Sequence, residues 1–386
     1  MCLFALLVIM KKNLLLVSLD SVRADVAYSG RLKTVKNLRA QGVTFLNTIS
    51  SSPLTPVSHC TVLTGLQPFS HGIRHLFKEQ LRPGPKTLAQ ILKKNDYKTA
   101  AIVSCPGMNG WYGFGRGFEK YDDEIPRLAD GSDPLQTVDV KKRGTALKRA
   151  NIVAGRAIDW LSQNQKQPFF LFLHFFDAHW PYEAPERFGG QNAYEEEAAF
   201  ADHYLGEILK KLAKLKLNKN TTVVCFSDHG EDLEGWYKND KAGKKLGHPE
   251  ESGHGCLLYD QTQKVLFVIK DKDLPKNKSI SQQARLVDVA PTILDLLKIK
   301  TNVKFDGVSL LPAIKGKEMN LPGYSETFYP EEQRQTTGKF KSSKNLKALR
   351  FDNKYKIIWE TDGDRVEAYD LQKDFNEEND LLRKKK

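Results

Sequence analysis

Five short runs rich in apolar residues punctuate the chain: Asn13–Leu19 (NLLLVSL), Lys98–Val103 (KTAAIV), Pro168–Phe175 (PFFLFLHF), Thr221–Ser227 (TTVVCFS) and Lys264–Ile269 (KVLFVI). They are too short for typical helices, and they do not alternate apolar with polar. A strand with one wet face alternates; a strand covered on both faces does not, and that is the pattern of parallel strands. Between the runs the period changes. Leu147, Ala154, Ile158 and Leu161 fall at helical spacing within Thr145–Asn164, and Thr87–Tyr97, Ala198–Leu215 and Pro291–Ile299 also read as helices, the last with its proline in the first turn. Strands that alternate with helices imply a layered α/β fold around a largely parallel sheet. The tail departs from this pattern. Leu346–Leu371 reads as strands joined by hairpin turns, Asp362-Gly363-Asp364 among them, so a small antiparallel α+β subdomain is expected. The expected division is a catalytic unit over 12–325 and the subdomain over 326–386.

With 386 residues the chain can bury a large core, and 40% hydrophobic with 27% charged residues is an ordinary globular balance. The formal net charge is +12, carried by lysine-rich stretches such as 210–220 and 339–347. Apart from Phe340 these two stretches hold no aromatic residue, so they read as solvated surface, with no nucleic-acid partner expected. A basic surface also favours a small anionic substrate. The five cysteines (Cys2, Cys60, Cys105, Cys225 and Cys256) are scattered and odd in number, which suggests reduced thiols and a cytoplasmic setting. The apolar start MCLFALLVIM lacks the charged flank and cleavage site of a signal peptide and is shorter than a membrane span. It reads as a leader strand or an unstructured start. Oligomeric state is not legible.

In open parallel sheets, sites form beyond the carboxyl ends of the strands. Asp20 follows the first run, Asp177 and His179 follow the third, and Asp228 and His229 follow the fourth. A single aspartate after a strand is ordinarily a helix cap. Three strands delivering acid and imidazole to one sheet edge point to a metal site. Oxygen and imidazole donors without thiolate suit Zn, Mn, Mg or Ca.

The segments VSLDSVRAD, TPVSHCTVLTGLQPFSHGIR, HFFDAHWPY, FSDHGE, SGHGCLLYDQTQKVLFVI, LVDVAPTILDLL, FDGVSLLP and YDLQKDFNEEN occur in the order seen in the sulfatase family of the alkaline phosphatase superfamily, which the chain resembles from about Asn13 to Asn379. The resemblance implies an alkaline-phosphatase-like, mostly parallel sheet sandwiched by helices. It implies a metal held by Asp20, Asp228, His229 and the nucleophile. His179 and His254 would contact the transferred group, and together with Asp177 they are candidates for a second metal. His71 would pack beneath the nucleophile helix. Sulfatases often carry a second aspartate where this chain has Ser21, and Asp228-His229 stands where many show Asp-Asn. Mn or Zn is therefore favoured, with Ca and Mg as alternatives.

Typical sulfatases place a modified cysteine or serine in a Cys-x-Pro-Ser-Arg stretch leading into Leu-Thr-Gly. Counting back from Leu63-Thr64-Gly65 puts Thr55 in that slot, and Cys60 lands inside the helix as a packing residue. Threonine cannot become formylglycine. The pattern is similar to nucleotide pyrophosphatase/phosphodiesterases and lipoteichoic-acid-synthase-like transferases, which use an unmodified threonine. Ser104 and Cys105 occupy a point where many sulfatases carry a lysine and a histidine that act on sulfate. The expected activity is therefore metal-dependent ester hydrolysis through a covalent threonyl intermediate, with phosphate mono- or diesters favoured over sulfate esters. The alternatives are an arylsulfatase, a phosphotransferase to an alcohol, and a non-catalytic binding protein. Arg23 stays open between a substrate contact and a salt bridge with Asp25 or Asp20. His174 reads as a core residue, and His248 lies in a lysine-rich loop near the site.

Overall fold

The computed structural model describes residues 11–137, 147–184, 187–233, 235, 237, 240, 253–337 and 344–383. The MCLFALLVIM start lies outside them. An eight-stranded sheet forms the centre, from β1 (Asn13–Leu19), β2 (Val43–Phe45), β3 (Lys98–Ile102), β4 (Lys120–Asp122), β5 (Phe169–Phe175), β6 (Thr221–Phe226), β7 (Phe267–Lys270) and β8 (Lys278–Ile280), in the order β8-β2-β7-β6-β1-β5-β3-β4. β1 lies between β5 and β6 and is parallel to both. β3 pairs parallel with β4 and β5, and β8 with β2. The exception is β7, antiparallel to β2 and β6. The apolar run Lys264–Ile269 is thus broken: Lys264–Val265 joins a small separate sheet, and the main-sheet strand begins at Phe267. A run of buried residues reports burial and not direction.

Alternate residues of β1 feed two cores on opposite faces of the sheet. Leu14 and Leu16 pack with Val57 and Cys60 of α1 (Thr55–Thr64), whereas Leu15 and Val17 pack with Ala154 and Leu161 of α2 (Ala150–Gln163) and with Leu205 and Ile208 of α3 (Ala193–Lys214). Each fully buried leucine contributes about 1.5–3 kcal/mol relative to exposure. Both faces need apolar residues, so the strand shows no alternation in sequence.

Four antiparallel strands, β9 (Gly323–Thr327), β10 (Leu346–Phe351), β11 (Tyr355–Glu360) and β12 (Val366–Asp370), form the C-terminal sheet in that order. Charged side chains tie this sheet to the rest. Arg350 and Lys356 both bond Asp260, at 2.8 and 3.0 Å, and Arg74 bonds Glu326 at 2.6 Å. Among the described residues no helix is long and apolar enough to cross a membrane.

Candidate active and metal-binding site

β1 and β6 are neighbours in register, so the residues just past their carboxyl ends meet. Asp20 emerges from β1, and Asp228 and His229 emerge from β6. All three are fully buried, and they offer donor atoms within 4.8 Å of one another. Thr55 opens α1 above them. Its Oγ1 lies 3.3 Å from Asp20 Oδ2 and 3.4 Å from His229 Nε2. All ten residues of α1 are buried, and Pro56 stands in its first turn, where the missing N–H costs nothing. The first-turn N–H groups and the helix dipole favour an anion beside Thr55. Gly65 ends the helix at φ 65°, a left-handed conformation that only glycine adopts cheaply, which accounts for the glycine of Leu-Thr-Gly.

Hydrogen-bond partners set which nitrogen of each imidazole faces the site. A carbonyl or carboxylate can only accept, so the ring nitrogen beside it carries the proton. His229 Nδ1 donates to Gly230 O (3.0 Å), His179 Nδ1 to Trp180 O (2.7 Å) and His254 Nδ1 to Glu231 Oε2 (3.1 Å). Each ring keeps the Nε2 lone pair for another partner. The three rings adjoin, with centroids 4.0 Å apart for His229 and His254 and 4.8 Å apart for His179 and His254. His59 follows the same rule one layer below, where Nδ1 donates to Thr55 O and Nε2 accepts from Ser18 Oγ, both at 2.8 Å.

The group of Asp20, Asp228 and His229 fits a cation. Asp228 Oδ2 is buried without a hydrogen-bond partner, and it lies 3.3 Å from the unprotonated His229 Nε2. Two lone pairs at that distance need a cation or a proton between them. Burial, together with the charge of Asp20, pushes the Asp228 carboxyl well above the usual carboxylate range. Burial also acts on Asp20, but the hydrogen bond and charge of His174 outweigh it and hold that carboxyl well below the range. Burial holds His229 down at about 3 and His254 at about 4, so both stay neutral, as ligands require. Oxygen and imidazole donors of this kind suit a divalent metal ion.

Ser21 is no ligand stand-in. Its Oγ donates to Asp20 Oδ1 (2.8 Å), and its backbone adopts φ 59°, which aims its N–H at Asp228 Oδ1 (3.1 Å). A non-glycine residue at positive φ carries strain, here spent on orienting both carboxylates.

The other candidates fall as follows. Asp177 takes Arg149 Nε at 2.9 Å and caps α2 through Ala150 N at 3.1 Å; it is not grouped with His179 and His254. Arg23 is buried against Asp25 (2.8 Å) and Asp240 (2.6 Å), and it also donates to Glu231 O (2.8 Å). His71 lies under α1, with Nε2 3.1 Å from Thr61 Oγ1. Cys60 is wholly buried in the core beneath α1, and burial pushes its thiol up. His248 lies outside the described residues, as does most of its loop. Sequence reasoning missed Glu231, a fully buried carboxyl that burial pushes up to about 7 and that holds His254. It also missed the contact of His174 with Asp20, 2.9 Å from Nε2 to Oδ2. The available signal was an imidazole inside an otherwise apolar strand, which must find a polar partner.

A family model described as Sulfatase matches residues 12–299, and one described as N-sulphoglucosamine sulphohydrolase, C-terminal, matches residues 255–386. Arylsulfatase K of Rattus norvegicus is 24% identical over 375 residues, which cover 80% of this chain and 63% of that protein, so the chain spans less than two thirds of that relative's length. A solved structure in complex with its substrate D-glucosamine-2-N,6-O-disulfate aligns with a TM-score of 0.72 at 16% identity, over 97% of this chain and 94% of that one. Phosphonate monoester hydrolase of Agrobacterium radiobacter aligns with a TM-score of 0.71 at 17% identity, over 96% and 91%. The match to the Sulfatase model over most of its length means that the chain belongs to the sulfatase family.

Proposed function

We propose that the protein is a metal-dependent hydrolase of anionic esters, with Thr55 as nucleophile and phosphate mono- or diesters preferred over sulfate esters. The observation that carries this reading is the position of Thr55 Oγ1 at a helix N-terminus, 3.3 Å from Asp20 Oδ2 and 3.4 Å from His229 Nε2. Asp20, Thr55, Asp228 and His229 would hold the ion, Mn or Zn in preference to Ca or Mg. Once bound, it would lower the pKa of the threonine hydroxyl and offset charge on the ester oxygens. Thr55 forms a bond to phosphorus and releases its proton towards Asp20 Oδ2, which it already faces. The bond to the leaving oxygen breaks and that oxygen takes its proton from solvent, while the Nε2 lone pair of His254 or His179 accepts a proton from the water that attacks next. Water then attacks phosphorus, and the threonyl ester opens to phosphate and free Thr55. Glu231 holds His254 in place throughout. Asp177 bonds Arg149 and α2, which favours a single ion over a second one held with His179 and His254.

The sulfuric ester reading has its own support in the arylsulfatase relatives. Against it stand Thr55, which cannot be converted to formylglycine, and Ser104-Cys105 in place of a lysine and histidine. Four buried free cysteines support a cytoplasmic setting. The test is a panel of aryl phosphate, aryl phosphodiester and aryl sulfate on protein loaded with Mn or Zn. The expected order is phosphate esters above sulfate, with Thr55→Ala lowering turnover at least about 10⁴-fold. Sulfate preferred over both phosphate esters would overturn the substrate assignment, and Thr55→Ala activity near wild type would overturn the nucleophile.

A further inference from the structure

His174 sits in β5 with no exposed surface, and its two ring nitrogens have different kinds of partner. Ser104 N, just past β3, lies 3.3 Å from Nδ1. An amide N–H only donates, so Nδ1 must accept and the ring proton must sit on Nε2. From there it is donated to Asp20 Oδ2, 2.9 Å away. This is the reverse of His229, His179, His254 and His59, whose Nδ1 atoms donate and whose Nε2 atoms are lone pairs. The backbone of Ser104, His174 and Asp20 thus form a chain across the carboxyl ends of three adjacent strands, β3, β5 and β1. Ser104 Oγ also bonds His174 O, which fixes the two strand ends together. Ser21 Oγ holds the other carboxylate oxygen of Asp20.

We infer that His174 is a positioning residue whose Nε2–H fixes the Asp20 carboxylate in the orientation that receives the metal. The inference rests on Asp20 being a ligand in the function proposed above. It also settles the role of a second compact donor group, Asp20, Cys105 and His174, whose atoms approach within 4.8 Å of one another. A protonated Nε2 cannot ligate, so His174 serves Asp20, and Cys105 stays a buried core residue beside them. Outer partners of this kind typically govern 10–100-fold in metal affinity.

The experiment is direct titration of Mn(II) and Zn(II) into metal-stripped protein, wild type and variants, with apo-state thermal unfolding as the folding control. His174→Phe should bind Mn(II) about 10- to 100-fold more weakly. His174→Gln, which keeps an N–H near the same point, should recover most of the loss. Equal loss in both variants, or wild-type affinity in His174→Phe, would overturn the inference. Asp20→Ala separates the two readings: if it too binds metal like wild type, the ligand set itself is wrong. Two readouts need no destabilising change. Nitrogen-15 NMR of wild-type protein, assigned by the signal lost in His174→Gln, should show the proton on Nε2; a proton on Nδ1 contradicts the inference. Co(II)-loaded protein should lack a thiolate-to-cobalt charge-transfer band. A band that disappears in Cys105→Ser would make Cys105 and His174 ligands and overturn the assignment.

Discussion

His71 is a fully enclosed histidine that forms no ion pair among the described residues. Its Nδ1 accepts from Ile73 N at 3.1 Å, and burial, reinforced by the charge of Arg82, holds its pKa down at about 3. Between the ordinary histidine value of 6.5 and about 3 the unfolded chain binds a proton there that the folded protein does not. Stability conferred by a neutral His71 is therefore complete above pH 6.5 and is lost as pH falls towards 3, with a slope of about 1.4 kcal/mol per pH unit. Denaturant unfolding of His71→Gln across that range should show a shallower acid dependence by that amount. An unchanged slope would mean His71 is charged in the fold. At this scale the sequence was legible for residues whose chemistry is local to a motif: Asp20, Thr55, Asp228 and His229 stand where strand ends and Leu-Thr-Gly counting put them. It was not legible for His174 and Glu231. Their roles depend on contacts to residues 154 and 23 positions away in the chain, and no spacing rule encodes those pairings.

The helix that Thr55 opens shows what elements add. α1 is short, wholly buried and stopped by Gly65 at φ 65°. A Cβ on Gly65 would meet Phe305 Cδ1 at 2.7 Å in addition to the backbone strain. Gly65→Ala should destabilise the protein by about 1–3 kcal/mol, read as a lowered denaturant midpoint with unchanged m-value. A neutral effect would show that α1 tolerates a shifted end. β1 coincides with its apolar run because both its neighbours and both its faces are covered. The three-residue strands β2, β4 and β8 left no run long enough to recognise. Helix α3 starts at Ala193, five residues before its apolar stripe, because Asn192 caps it through Glu195 N. The antiparallel direction of β7 follows from its connection and not from its composition.

Across the whole molecule, the central sheet brings Asp20, Thr55, Asp228 and His229 from three separate parts of the chain to one buried point, and the histidine cluster of His179, His229 and His254 closes over it. The C-terminal sheet is anchored around that centre: Thr327 Oγ1 bonds Gly255 O next to His254, and Ser325 Oγ bonds Ser50 O at 2.6 Å. The chain's net charge of +12 favours anionic partners, although net charge alone does not select phosphate over sulfate. In the function proposed above, that selection rests on Thr55. The most direct measurement is therefore a rapid acid quench of the metal-loaded protein turning over an aryl phosphate, followed by peptide mass spectrometry of residues 53–72. The account predicts phosphothreonine at Thr55, absent in Thr55→Ala. Turnover with no covalent adduct, or with the adduct on Ser58 or Cys60, would contradict it.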